Sequence, residues 1–299
     1  MFETDSLGYK LLNGKIKSHS EQLNKFVAGL FDSDGMVGLK FNSCGSSSYN
    51  NEAYYRIQLV SQIDQSASND PDLCMIRSLK KHYGIGTVSF RAREQWAHQA
   101  IWNMAGKDSH IFYNLVGKHL IIKRKHFENM LWLYDELKGV RLTEEQIQEL
   151  KEFSICSRDS SAKEVNKKHI SPAYLAGLIA GDGWITVRLN VPRLRRGWLS
   201  HENQMSCAIT LHELDSLVLK KIASDYGGRV VPKDKHMMSW RRNLGKESKS
   251  FALRFIPELL KYMCLPKKYV ALKKILQFHK LPAETKCLEL EKVCDSPRR

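Results

Sequence analysis

Two aspartates, each followed by glycine, close the same nine-residue pattern. Val27-Ala28-Gly29-Leu30-Phe31-Asp32-Ser33-Asp34-Gly35 recurs as Leu175-Ala176-Gly177-Leu178-Ile179-Ala180-Gly181-Asp182-Gly183. Asp34 and Asp182 thus lie 148 residues apart in a chain of 299. Two carboxylates brought side by side repel unless a cation neutralises them. Mg²⁺ suits such a pair: it takes oxygen ligands, keeps several waters, and commonly accepts one or two carboxylates plus a substrate phosphate. On a basic protein, that donor set points to phosphodiester hydrolysis.

The aspartates meet only if the elements carrying them meet. Both patterns read as helices. Ser171 before Pro172 is an N-cap followed by proline at the first helical position. Ser18-His19-Ser20-Glu21 predicts a capping box for the first copy, and Gly35 and Gly183 predict where the helices stop. Gly29 with Ser33, and Gly177 with Gly181, place small residues four apart, about one turn, on each helix. Interior glycine costs a helix about 1 kcal/mol relative to alanine. Its presence at the same place in both copies predicts that the two helices pack against each other.

The repeat continues downstream. Met36–Phe41 and Trp184–Leu189 read as strands, as do Tyr55–Val60 and Ser206–Leu211. A helix follows in each copy and ends in Tyr83-Gly84 or Tyr226-Gly227. Short strands come next, then Trp102…Gly106-Lys107-Asp108-Ser109 and Trp240…Gly245-Lys246-Glu247-Ser248, then closing helices over about 124–138 and 266–279. The order αββαββα, written twice, predicts an α+β protein of two tandem domains, 18–142 and 169–282. Residues 143–168 read as a linker, with Thr143-Glu144-Glu145-Gln146 opening a short helix that carries Ile147, Leu150 and Phe153. Residues 1–17 and 283–299 read as peripheral extensions.

The paired windows VAGLFDSDG and LAGLIAGDG resemble the double signature of single-chain LAGLIDADG homing endonucleases, over about residues 20–280. That resemblance implies a monomer with internal pseudo-twofold symmetry. Each half would lay a four-stranded antiparallel sheet along the DNA major groove as part of a saddle, with the motif helices between the halves. It makes Asp34 and Asp182 the ligands of divalent metal over the scissile phosphates, with cleavage leaving 3′ overhangs. It also implies a basic residue near each site, for which Lys107 and Lys246 in the repeated Gly-Lys-acid-Ser element are the candidates. A polar residue that orients water matches Gln65, with His212 or Glu213 in the second copy. Ala180 departs from the pattern, since Asp32 occupies its place in the first copy; Asp32 reads as a helix-end or interface residue.

Composition agrees with a polyanionic partner. Lys and Arg outnumber Asp and Glu by 47 to 32, a formal charge of +15. The surplus is two between Met36 and Phe112 (eight basic residues against six acidic) but eight between Trp184 and Arg254 (fourteen against six). The second half is therefore expected to supply more of the salt-sensitive affinity. Strand residues that alternate faces give DNA-contact candidates Lys40, Asn42, Arg56, Gln58, Arg91 and Arg93 in the first half. The second offers Arg188, Asn190, Arg193, Arg195, Arg196, Arg229, Lys233, Lys235, Arg241 and Arg242. The loops Cys44–Asn51 and Val191–Gln204 could extend the footprint. Seven scattered cysteines with no metal-type spacing argue against zinc and disulfides and for a reducing, intracellular compartment, whether organelle or bacterial or phage cytoplasm. No apolar run reaches membrane-spanning length, and Met1–Asp5 lacks the features of a secretory signal. An intron RNA maturase on the same fold, and a DNA-binding regulator without catalysis, are the competing readings.

Overall fold

A computed structural model describes residues 2–16, 20–46, 53–66, 74–93, 96–156, 169–195, 198–245 and 248–281. The first half runs α2 (Glu21–Asp34), β1 (Gly35–Ser46), β2 (Ala53–Ser66), α3 (Cys74–Tyr83), β3 (Thr87–Arg93), β4 (Trp96–Ala105), α4 (Lys107–Val116) and α5 (Arg124–Leu137). The second half repeats it as α7 (Pro172–Ala180), β5 (Gly183–Arg195), β6 (Trp198–His212), α8 (Ser216–Tyr226), β7 (Arg229–Pro232), β8 (Met237–Asn243), α9 (Lys249–Tyr262) and α10 (Pro266–Lys280). Each half makes a four-stranded antiparallel sheet, ordered β1-β2-β4-β3 and β5-β6-β8-β7. The α+β architecture and the internal repeat are as the sequence predicts. Each half carries one helix more than expected, because the Gly-Lys-acid-Ser element opens α4 in the first half and leads into α9 in the second.

Register shows which strand faces are equivalent. Gly35 pairs with Ile63 and Gly183 with Ile209, so Ile63 and Ile209 correspond. Along β2 the odd-numbered residues from Ile57 to Gln65 are buried and the even-numbered ones face outward. The buried faces, anchored by Trp102 and Trp240, pack on the helices. Their indole N–H groups donate to Ile85 O and Gly227 O, at the turns that follow α3 and α8. Those turns need the left-handed backbone of Gly84 and Gly227, both at φ +69°.

One buried core runs through both halves, and α2 and α7 lie at its middle. Every residue of α7 from Ala173 to Ala180 is buried, as befits a helix apolar on all sides. The expected glycine contact is present. A Cβ on Gly29 would sit 2.0 Å from Tyr174 O, and one on Gly177 would sit 2.0 Å from Phe26 O. No side chain fits at either position.

Ser171 caps α7 through a bond from Tyr174 N, but α2 starts two residues later than expected. Its N-cap is Ser20, whose Oγ accepts from Leu23 N, while Ser18 lies outside the described residues. Helix α2 ends at Asp34 with Gly35 as its cap, whereas α7 already ends at Ala180, leaving Asp182 in a turn. The linker helix α6 (Glu144–Cys156) has its capping box, with Thr143 N donating to Gln146 Oε1 and Gln146 N to Thr143 Oγ1. Ile147 packs on Ile57 and Leu142, whereas Phe153 is exposed. The N-terminal segment is not peripheral. Helix α1 (Leu7–Leu12) buries Leu7 and Leu11 in the core, and Glu3 N donates to the Tyr269 hydroxyl on α10. The stretch Val191–Gln204 is not a loop either, since β5 and β6 extend through most of it as a long hairpin.

Overpacking a core usually costs 1–3 kcal/mol, more when backbone must move. Gly29→Ala and Gly177→Ala are each expected to lose at least about 2 kcal/mol in urea unfolding. Gly38→Ala, where a Cβ meets nothing within 4 Å, is the control in the same measurement.

Candidate active site

The helix crossing delivers the two aspartates to one place. A Cβ on Gly181 would meet Ser33 Oγ at 2.0 Å and Asp34 Cγ at 3.1 Å, so the end of α7 abuts the end of α2. Asp34 is partly buried and Asp182 remains open to solvent at the mouth of a cleft between the halves. Burial, and then the neighbouring Asp182 carboxylate, raise Asp34 to about 7, with Asp64 on β2 adding to the effect. Asp182 is raised chiefly by desolvation, with Lys123, Lys268 and Lys233 opposing.

Two lysines that sequence reasoning did not select organise this centre. Lys123 Nζ donates to Phe31 O, Ser33 O and Gly35 O at 3.0, 2.9 and 2.6 Å. Lys268 Nζ donates to Ile179 O, Ala180 O and Gly181 O at 2.6, 2.6 and 3.1 Å. Each ammonium thus closes the carbonyl end of one motif helix, where cations are favoured. Their charges act crosswise: the foremost lysine effect on Asp34 comes from Lys268, and on Asp182 from Lys123. Burial holds Lys268 down at about 8 against the pull of Asp34. A signal did exist. A lysine at the start of the helix closing each half sits where the helix dipole disfavours it, which asks for a local reason.

The expected catalytic residues fare unevenly. Lys107 is exposed at the start of α4, and the ammoniums acting on the aspartates are Lys123, Lys268 and Lys233. Lys246 lies outside the described residues. Gln65 is only 2% exposed on the helix-facing side of β2, and its Oε1 has no hydrogen-bond partner. By register its counterpart is Leu211, not His212 or Glu213. Asp32, also 2% exposed, is a structural acceptor. It takes bonds from the Ile121, Ile122 and Lys123 amides and from the Tyr174 hydroxyl across the interface.

The carboxylate pair fits a divalent cation. Lys123 and Lys268 already engage three carbonyls each, and the Asp182 carboxylate still raises the cost of ionising Asp34. A hard cation between them would supply the missing charge. His212, Glu213 and His236 also lie together, their ligand atoms within 4.8 Å. All three are exposed, and they bond locally: His212 Nδ1 accepts from Leu214 N, and His236 Nδ1 faces Glu213 Oε1.

The outward faces of both sheets carry half of the expected contact residues. Lys40 pairs with Gln58 and Asn42 with Arg56 on β1 and β2. Arg91 shares the open face with Ser89, Gln62, Gln99 and Asn103, four polar residues that sequence reasoning passed over. In the second half, Arg188 lies opposite Gln204 and Arg229 opposite Arg241. Lys233 is exposed with its Nζ 5.3 Å from the Trp184 ring centre, and Lys235 is exposed beside it. Arg242 departs from this pattern. Its register places it on the helix side of β8, with Cζ 3.9 Å from the Phe251 ring centre, so it does not face outward. Arg93, Asn190, Arg193 and Arg195 lie on β3 and β5 by their backbone alone, and Arg196 lies outside the described residues.

The LAGLIDADG endonuclease family matches residues 175–279, the second half with its motif helix. Solved structures extend the likeness to the whole architecture. The I-SmaMI LAGLIDADG homing endonuclease bound to cleaved DNA is 16% identical, with a TM-score of 0.63 over 90% of this chain and 94% of that one. The chain has the LAGLIDADG fold. Homing endonuclease I-GzeII in complex with its DNA target shares that fold at 18% identity, TM-score 0.60, over 91% and 95% of the two chains. Meganuclease I-AabMI bound to uncleaved DNA does so at 14%, TM-score 0.59, over 90% and 92%. Comparison with curated proteins finds no match. The two LAGLIDADG helices here are α2 and α7, and Asp34 and Asp182 are the acids that end their signatures.

A raised carboxyl favours its protonated form in the folded state. Asp34 therefore contributes stability below about pH 4 that is lost as pH rises through about 7. A tenfold change in the proton affinity of such a group corresponds to about 1.4 kcal/mol. The expected outcome is a metal-free Tm that falls between pH 5 and 7.5, recovers with millimolar Mg²⁺ or Ca²⁺, and falls less steeply in Asp34→Asn, where the raised Asp182 and Asp32 remain. Calorimetry across that range measures it.

Proposed function

We propose that this protein is a site-specific DNA endonuclease that uses a divalent cation, Mg²⁺ above all, to hydrolyse both strands of a long asymmetric target, leaving 3′ overhangs. The observation that carries the reading is the convergence of Asp34 and Asp182 at the seam between two outward-facing sheets that bear basic and amide side chains. The likeness to endonucleases solved with DNA, one of them with calcium present, supports it. A single chain carrying both halves points to a monomer acting on two different half-sites, and the enzyme class to intron homing.

The chain's own residues divide the work. Exposed Arg188, Arg229, Arg241, Lys233 and Lys235 bind phosphate or guanine edges, while Gln58, Gln62 and Asn103 offer amide contacts suited to adenine. Asp34 and Asp182 hold the cation, which when bound supplies charge stabilisation to the scissile phosphate and an activated water. Lys123 and Lys268 clamp the helix ends so that the carboxylates hold their positions, and their charge favours the anionic transition state. This arrangement replaces the sequence-based assignment of Lys107.

The experiment is cleavage of a randomised DNA pool in Mg²⁺, followed by sequencing of the ends. Asp34→Asn and Asp182→Asn are each expected to lower cutting of the selected site at least about 10³-fold while DNA affinity in Ca²⁺ stays within a few-fold. Lys123→Met and Lys268→Met should fall by about 10² or more, and Lys107→Ala should cut at the rate of the parent. Full activity in both aspartate variants overturns the assignment. Absence of DNA cutting together with tight intron-RNA binding selects the maturase reading instead.

A further inference from the structure

One buried polar set at the centre belongs to the first half's motif and has no counterpart in the second. Asp32 Oδ2 accepts from the Tyr174 hydroxyl at 2.6 Å, from Ile121 N at 2.7 Å and from Ile122 N at 3.0 Å. Its Oδ1 accepts from Lys123 N at 2.8 Å. Tyr174 belongs to the second half, and the three amides form the turn that leads into α5 in the first. Successive amides around a carboxylate make a compact anion nest, and the bonds are short enough to fix the turn. That turn ends on Lys123, whose Nζ closes the end of α2 beside Asp34.

Pseudo-symmetry places Gly29 against Gly177, so Asp32 corresponds to Ala180 and Tyr174 to Phe26. Lys123 corresponds to Lys268 through the same three-carbonyl clamp, so Ile121 corresponds to Pro266, which has no N–H to give. Acid, hydroxyl and amide donor are therefore all missing from the mirror position, where Phe26 and Ala180 are fully buried and apolar. Lys268 is held instead by burial within α10, at 7% exposure, whereas Lys123 precedes its helix and is only partly buried.

We propose that the Tyr174–Asp32 bond is a one-sided positioning device by which the second half holds Lys123 at the cleft it shares with Asp182, so that only one of the two strand-cutting centres depends on it. Tyr174 and Asp32 are positioning residues, acting through the 121–123 turn and not on DNA. The device also matches the halves to each other. Pairing two first halves would set Asp32 against Phe26, and pairing two second halves would set the Tyr174 hydroxyl against Ala180. Each arrangement leaves a buried polar group without its partner.

The proposal rests on the endonuclease reading, and two measurements on the full chain separate the two ideas. In the first, Tyr174→Phe cuts a supercoiled plasmid carrying the selected target. Nicked circles are expected to accumulate, with one and the same strand cut about tenfold more slowly and the other at the parental rate. Asp32→Asn should slow the same strand. Equal slowing of both strands, as a general loss of stability would give, overturns the proposal, as does unchanged cutting. The second needs no DNA: amide hydrogen exchange should rise at residues 121–123 in Tyr174→Phe and stay unchanged at 265–268. A rise in both segments, or in neither, overturns it. Should the parent cut no DNA at all, the endonuclease reading falls, and the exchange result still decides whether Tyr174 holds the turn.

Discussion

Everything at the centre of this molecule depends on how closely two helices approach. Gly29 and Gly177 each give up their side chain so that the backbone carbonyl of the facing helix can occupy the space. Glycine inside a helix is unfavourable by about 1 kcal/mol. Burial of the surrounding α2 and α7 residues in a core shared by both halves offsets that cost. The consequence is geometric. With the helices this close, the end of α7 abuts Asp34 and the Asp182 carboxylate acts on it directly.

Close approach creates an electrostatic problem that the rest of the site answers. Two carboxylates at a partly desolvated seam are costly, as the rise of Asp34 to about 7 shows. Lys123 and Lys268 bond the backbone carbonyls at the helix ends and act on the two carboxylates through their charge. Stability of the metal-free protein is thereby exchanged for a strong, pre-shaped demand for positive charge, a frequent trade at catalytic centres.

How much of this could be read in the sequence differs by residue. The repeat, the fold class, the packing of the motif helices and the convergence of Asp34 and Asp182 were all legible, because glycine spacing and a duplicated Asp-Gly are local signals. Lys123 and Lys268 were not, since each meets its carbonyl partners across 87 to 92 residues of chain. The choice of Lys107 followed a short local echo that turns out to mark the start of α4. Arg242 failed for a related reason: alternation tells that neighbours face opposite ways, but the register of β8 on β6 decides which way. Register likewise puts Gln65 on the helix-facing side of β2 and Gln62 and Asn103 on the open face. Asp32 was legible as an interface residue, but its four donors were not.

The central claim is that the crossing of α2 and α7 builds one carboxylate pair that holds a divalent cation. Anomalous diffraction from crystals of the protein soaked with Mn²⁺ tests it most directly. A peak within about 2.0–2.3 Å of carboxylate oxygens of Asp34 and Asp182, with Lys123 and Lys268 still bonded to the helix-end carbonyls, is the expected result. Mn²⁺ bound elsewhere, with the two carboxylates turned onto the lysines, would contradict the account.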